Sequence, residues 1–419
     1  MNRLLDIRSY FQYVGFAFRA LKNKNFRLFF FGQLVSLMGT WIQNIALGWL
    51  VYRLTGSATW LGIIGFAGQI PALFLTPIAG VYADRLNRRK VLIVAQIVPM
   101  TLALSMALLI LTENVEIWHI VLIASLNGIV IAVDNPFRHA FLLEMISDKE
   151  LIQNSIALNS TLFNSARFIG PMIGGLLIAL VGEGYCFLIN GFSFLAVVLA
   201  LLYMKVKPIN MDRKHGSVIG DLREGTKYAF NFKPIRYLLL LVIATGFFGL
   251  PFQVFLPVFA KDILGGDAQL LGFLTGSLGA GALTGAIYLA SRKTIKFLPI
   301  LIVWTSGLFA IGLLSMSLST TVTISLILLY FIGFGMIVQF ASTNTLIQTL
   351  VDEDKRGRVM ALYGLSFLGI TPLGSLMLGS IAGSIGVQIT LLASSIVCLG
   401  ATFVYSKRLK YVVEAIRGH

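Results

Sequence analysis

The chain has 419 residues, of which 57% are hydrophobic and only 12% charged, and its mean hydropathy is +0.85. That is too apolar for a soluble domain of any class, so the composition specifies a polytopic membrane protein. A net charge of +15 would otherwise suggest a nucleic-acid partner, but the cations are scattered over many short loops with no reader domain, and none is expected.

Residues 1–27 form a mixed segment in which Phe11, Phe16 and Phe18 stand beside Arg8, Arg19, Lys22 and Lys24, a pattern suited to the membrane surface. No cleavable leader is expected, because the first apolar run is too long and follows this segment. Apolar windows of about 20 residues, enough to cross ~30 Å of hydrocarbon as a helix, then recur twelve times. They centre on residues 28–52, 59–82, 90–111, 117–139, 156–180 and 185–204, then on 236–260, 269–290, 297–318, 322–346, 358–382 and 386–406. The windows are continuously apolar and not alternating, so helices and not barrel strands are predicted. The predicted fold is an all-α membrane protein with two pseudo-symmetric six-helix bundles, 28–204 and 236–406. A hydrophilic linker, 205–235, joins them, and a tail, 407–419, follows.

Thirty of the 33 Lys and Arg residues fall before the first span, after the last, or in every second loop. The positive-inside bias therefore predicts a multi-pass protein of the cytoplasmic (inner) membrane with both termini in the cytoplasm. The exceptions are Arg53 and Lys261, on the other side, and Arg167, inside the fifth span. The halves also echo each other at a constant offset of 204: Asp148 answers Asp352, and Gly170, Gly175 and Gly182 answer Gly374, Gly379 and Gly386. A parallel repeat of this kind is what a duplicated transporter with a central cavity would carry. Cys186 and Cys398 sit in separate apolar runs and are read as small core or lipid-facing residues, with no metal-ligand grouping near them.

The loop between the second and third spans reads Gly80-Val81-Tyr82-Ala83-Asp84-Arg85-Leu86-Asn87-Arg88-Arg89-Lys90. It resembles the signature G-x-L-a-D-r-x-G-r-k of the major facilitator superfamily, with Tyr82 in place of Leu and Asn87 in place of the second Gly. Asn tolerates a left-handed turn better than most residues, so the loop geometry is expected to survive. Asp84 stands one turn before Arg88, where the two can pair. The resemblance implies that Gly80, Asp84, Arg85 and Arg88 form a conformational latch between the halves, whereas Arg89 and Lys90 mainly set topology. The runs 41–62, 134–146 and 159–175 resemble the exporter branch of that superfamily that contains enterobactin, drug and macrolide efflux proteins. Gly170-Pro171-Met172-Ile173-Gly174-Gly175 matches the core of its antiporter motif, which implies a gate on the fifth span. Read from the residues alone, Gly170 and Gly174 form a small-residue packing face, and Pro171 removes one backbone bond.

Ionisable groups inside the hydrocarbon cost about 2.5–3.5 kcal/mol each at a helix centre, so every one should have a reason. Asp134 and Arg138 are four apart on the fourth span, and Arg167 lies in the fifth. Two readings stand for Asp134: a structural ion pair, or a carboxyl whose protonation follows transport. Glu144 is expected just past the fourth span as a partner for nearby cations. The fold that the resemblance implies lines its cavity with spans one, four, seven and ten, so Gln43, Asn44, Asn127, Gln253, Tyr330, Gln339 and Asn344 are the substrate candidates, beside Trp41, Trp49, Phe252 and Phe255. An amide-rich, aromatic lining suits an amphipathic or aromatic solute, and Arg167 would attract an anionic group.

The four histidines are scattered, and there is no phosphate-binding loop, HExxH or GxSxG. The expectation is therefore not an enzyme but a monomeric secondary transporter that exports an amphipathic small molecule. It would need no cofactor and would be driven by a proton gradient; a lysophospholipid flippase and a non-transporting sensor are the alternatives. Replacing Asp84 by Asn is expected to lower substrate flux in vesicles with little loss of folded protein, and unchanged flux would remove the latch.

Overall fold

A computed structural model describes residues 19–83, 85–146, 149–206, 218–292 and 294–417. Among the described residues twelve helices are long and apolar enough to cross a membrane. In chain order they are α1 (Lys24–Thr55), α2 (Ala58–Ala83), α3 (Arg88–Leu111), α4 (Ile117–Met145), α5 (Lys149–Val181) and α6 (Glu183–Tyr203) in the first half. The second half holds α7 (Lys233–Ile263), α8 (Ala268–Ala290), α9 (Leu298–Leu318), α10 (Val322–Leu350), α11 (Arg356–Ile385) and α12 (Val387–Lys407). Twelve alternating spans leave the linker and both described ends of the chain on one face, called here the linker face, opposite the far face.

Local chemistry explains the helix ends. Asn23 accepts from the Phe26 amide and starts α1 four residues earlier than the apolar window suggests. Asn87 is also an N-cap: its φ is −67° and its side chain accepts from the Lys90 amide to open α3. The left-handed turn expected at Asn87 is therefore not made; this loop uses the amide as a cap where a glycine could offer none. Gly182 and Gly386, partners in the 204 offset, hold positive φ of 85° and 89° and divide α5 from α6 and α11 from α12 in the same way.

The packing repeats the duplication. In the first half α1 lies against α5 and α6, α2 against α4, and α3 against α4 and α6; the second half repeats these pairings. The halves join through α5 against α8 and α2 against α11. These seams are built on glycine. A Cβ on Gly175 would meet the Ala268 carbonyl at 2.7 Å and Gly272 Cα at 2.8 Å, and one on Gly62 would meet the Ser375 carbonyl at 2.4 Å and Gly379 Cα at 2.9 Å. Gly175 and Gly379 are offset partners, so the two crossings are copies related by the internal repeat. Both lie in the far-face portions of their helices, as do the approach of Gly48 to Pro257 and that of Gly383 to Thr59.

Between the halves, a linker helix (Val218–Asn231) packs on the start of α11. Arg358 pairs with Glu224 at 2.8 Å, and the Tyr228 hydroxyl donates to Asp352 at 3.0 Å. Burial, with the Asp352 carboxylate beside it, pushes the Tyr228 phenol up from its ordinary value. A tail helix (Leu409–Arg417) packs on α7 and α9. The amphipathic segment before residue 19 and linker residues 207–217 lie outside the described residues.

Gly62→Val is expected to destabilise the protein by about 1–3 kcal/mol, the usual range for overpacking, because its methyls meet a backbone carbonyl. Gly400→Ala, whose Cβ enters open space, is expected to be neutral or slightly stabilising. Thermal melting of the purified protein checks both.

Candidate functional site

The charged loop after α2 is tied down chiefly by its arginines. Arg88, the first residue of α3, is buried; its Nη1 contacts Glu144 Oε1 at 2.6 Å and its Nε donates to the Ala83 carbonyl at 2.6 Å. Glu144 is not past the fourth span, as expected from the sequence, but on the last turn of α4, which runs on to Met145. An acid at that end of a helix opposes the helix dipole, and the buried guanidinium supplies the compensation. Arg89 donates through Nε to Leu201 O at 2.7 Å and through Nη2 to Leu202 O at 2.6 Å, so it caps the C-terminal carbonyls of α6. That role goes beyond topology, and a basic residue 112 positions from its acceptors carries no local signal for it. Asp84 lies outside the described residues; Arg85 is exposed, and a Cβ at Gly80 would meet nothing within 4 Å.

Deeper in the first half, a polar chain links three helices. Asp134 of α4 is buried, accepts from Gln96 Nε2 of α3 at 2.9 Å, and pairs with Arg138 one turn on. Arg138 also donates through Nη1 to Gln33 Oε1 of α1 at 3.0 Å, while its Nε is buried without an acceptor. Asp134 thus pairs with Arg138, four residues on in the same span, and Arg88 is paired with Glu144.

Arg167 differs from these. Among the described residues no carboxylate is paired with it; its guanidinium lies 5.8 Å from the centre of the Trp41 ring on α1. A cation–π contact contributes about 0.5–2 kcal/mol, less than the ~2.5–3.5 kcal/mol that a central arginine costs.

On the far face the halves meet through side chains as well. The Tyr52 hydroxyl at the end of α1 donates to the Asp262 carboxylate at the end of α7, and Lys261 lies 5.7 Å from the Tyr52 ring. Arg53 pairs with Glu183 of α6 at 2.7 Å. Arg53 and Lys261, the two exceptions to the charge bias that lie on this face, are therefore engaged here.

The cavity candidates separate. Asn44 is exposed on the face of α1 that carries Gly48, toward α7. Gln43 accepts from Asn190 Nδ2 at 2.7 Å and is turned into the first half. Gln339 is fully buried, donating to Thr245 Oγ1 at 2.9 Å with its Oε1 unpartnered, so it belongs to the interior of the second half and does not line open space. Phe252 and Phe255 are likewise core residues. Asn127, Gln253, Tyr330 and Asn344 are half-buried, and Asn344 accepts from Gln348. In the fifth span a Cβ on Gly170 would meet Trp41 Cβ at 2.5 Å, one on Gly174 would meet Ile42, and the Pro171 carbonyl lies 2.7 Å from the Cβ position of Gly272. The motif residues are thus the packing surface of α5 against both α1 and α8. Cys186 and Cys398 are free and buried, and no group of three metal-ligating residues occurs among the described residues.

Two halves of six spans, duplicated in parallel and meeting at α2–α11 and α5–α8, define a transporter of the major facilitator type. The chain belongs to the transmembrane secretion effector family of that superfamily, whose sequence profile matches residues 16–416. It is 28% identical over 400 residues to the staphyloferrin A transporter of Staphylococcus aureus, covering 93% of this chain and 98% of that one. It is 25% identical over 400 residues to the multidrug efflux pump Tap of Mycolicibacterium fortuitum, covering 91% and 96%. In fold it matches the nucleoside transporter NupG with a TM-score of 0.68 at 15% identity over 92% of this chain and 99% of that one. It also matches a bacterial homologue of the human lysosomal transporter Spinster in its inward-facing state, with a TM-score of 0.63 at 12% identity over 94% and 96%.

Arg88→Ala is expected to destabilise the protein by about 3–5 kcal/mol by stranding the buried Glu144 carboxylate. Arg88→Ala combined with Glu144→Gln should recover part of that loss, as a double-mutant cycle of melting temperatures would register.

Proposed function

We propose that this protein is a secondary active exporter that carries an amphipathic or aromatic small molecule, siderophore- or drug-like, out across the cytoplasmic membrane in exchange for protons. The observation that carries the reading is the placement of the glycine crossings. They hold the far-face portions of the two halves in backbone contact, so the gap between the halves opens toward the linker face, and the cation bias assigns that face to the cytoplasm. An exporter loads from this state. Rocking the halves about the central gap exposes the same site to the other side, which is alternating access.

Coupling is assigned to Asp134. Its carboxylate holds Arg138, and Arg138 holds Gln33, so one side chain joins α1, α3 and α4. A proton on Asp134 removes the charge that fixes Arg138 and frees α1 to move relative to α4. The relatives named for siderophore transport and drug efflux support the substrate class, as do the exposed Asn44 and the half-buried Trp41. The protein works as a monomer on its small-molecule substrate in the bilayer, with the proton gradient as its energy source and no cofactor or nucleic acid.

Uptake into inverted vesicles across catechol siderophores, macrolides, dyes and lysolipids, with and without a proton gradient, tests the proposal. Gradient-dependent uptake of one solute class is expected, and Asp134→Asn should reduce the gradient effect by at least about tenfold while the protein remains folded. Flux indifferent to the gradient across the panel would overturn antiport, and lysolipid movement alone would replace export of a solute with lipid flipping.

A further inference from the structure

Arg167 sits on α5 about 21 Å of helix from its far end at Val181, taking 1.5 Å per residue, and so near the middle of the membrane. Its direction can be read from its neighbours. The exposed apolar stripe of α5 is Ile169, Ile173, Leu176 and Leu180. Pro171, Met172 and Gly175 face α8, which also meets the backbone at residue 167, where the Cβ position of Gly279 lies 2.7 Å from the Arg167 carbonyl, while Gly170 and Gly174 face α1. At 100° per residue, Arg167 falls between those two packed faces and about 150° from the stripe, so its side chain is directed into the gap between the halves and away from lipid.

The surroundings are built around a planar group. Trp41 lies under the guanidinium at 5.8 Å, and Phe163, one turn of α5 toward the linker face, meets Trp41 edge-on with ring centres 6.1 Å apart. Phe163 is 45% exposed although it lies off the lipid stripe, which opens this corner to the gap on the linker-face side. The ion pairs that the structure describes within the spans of the first half are Arg88 with Glu144, Asp134 with Arg138 and Arg53 with Glu183, while Arg89 holds backbone carbonyls. Among the described residues Arg167 has only a ring, whose attraction is smaller than the cost of holding the charge there.

We propose that Arg167 is an anion-binding residue of the central gap and that its ligand is an aromatic or amphipathic carboxylate. The planar guanidinium fork would receive the carboxylate through two parallel N–H···O bonds, and Trp41 with Phe163 would take the aromatic body. The inference rests on the transport reading only in calling this ligand the substrate. It also gives the unpaired charge its function: the empty site carries the cost, and an anionic solute relieves it on binding.

Equilibrium binding of 2-naphthoate, 2-naphthamide and 2-naphthylmethylammonium to the full-length protein in nanodiscs, corrected with empty nanodiscs, tests the assignment. The three probes share one aromatic body and differ in charge. Wild type is expected to favour the carboxylate over the amide by at least about tenfold and over the cation by more, and Arg167→Gln is expected to bring that preference to about one. A wild type without the preference, absence of all binding included, overturns the proposal, as does an Arg167→Gln protein that keeps it. Should that variant not fold, Arg167→Lys replaces it: loss of the paired bonds is expected to weaken the carboxylate several-fold with the amide unchanged, and an unchanged carboxylate overturns the proposal. Because the measurement is of binding and not flux, failure of export in vesicles leaves this result standing, and loss of carboxylate preference in a protein that still exports leaves the transport reading standing.

Discussion

The structure depends on places where the backbones of the two halves touch with only hydrogen atoms between them. Gly175 against Gly272 and Gly62 against Gly379 bring α5 to α8 and α2 to α11 closer than any side chain would permit. In a bilayer there is little hydrophobic gain from pressing one apolar helix on another, so close packing and the contacts it allows must supply the adhesion. The seams are thus strong where they are small-residued and weak elsewhere. The two Gly–Gly crossings lie in the far-face portions of their helices, and Gly279 carries the α5–α8 contact on to Arg167 and Phe168 near mid-span.

Against that framework the charges divide by the problem each solves. Arg88 and Glu144 neutralise one another at the rim, Arg89 satisfies carbonyls at the end of α6, and Asp134 with Arg138 forms a bridge among three helices. Each cancels a cost that hydrocarbon imposes on isolated charge or on open backbone groups. Arg167 differs from these: among the described residues its contact is the Trp41 ring and not a carboxylate.

Much of the architecture was legible in the amino-acid order. Twelve apolar windows, the asymmetric cations and the offset of 204 carry the span count, the shared face of the ends and the duplication, because hydrocarbon thickness and positive-inside bias act on local composition. The offset glycines even marked one side of each seam, though not their partners Gly272 and Gly62 on the opposite half. What could not be read was anything set by distant contacts. The pairing of Arg88 with Glu144 spans 56 positions, and the carbonyls held by Arg89 are further still. Gln43 and Gln339, which look alike as polar residues on cavity helices, turned inward because Asn190 and Thr245 wait for them there. Asn87 misled for a different reason: its side chain serves a helix start as readily as a left-handed turn, and only the position of α3 decides between them.

One last asymmetry lies in helix pitch. The first helix of the first half, α1, is a single α-helix from Lys24 to Thr55, but its counterpart α7 changes winding four times. Thr245–Gly249 is π, Leu250–Phe255 is 3₁₀, a short α turn follows, and Phe259–Ile263 is π again. A tight stretch set between two wide ones in mid-helix is the local pattern of a hinge. The twin halves are therefore unequal in their first helices: α1 keeps one winding throughout, and α7 alternates between wide and tight turns.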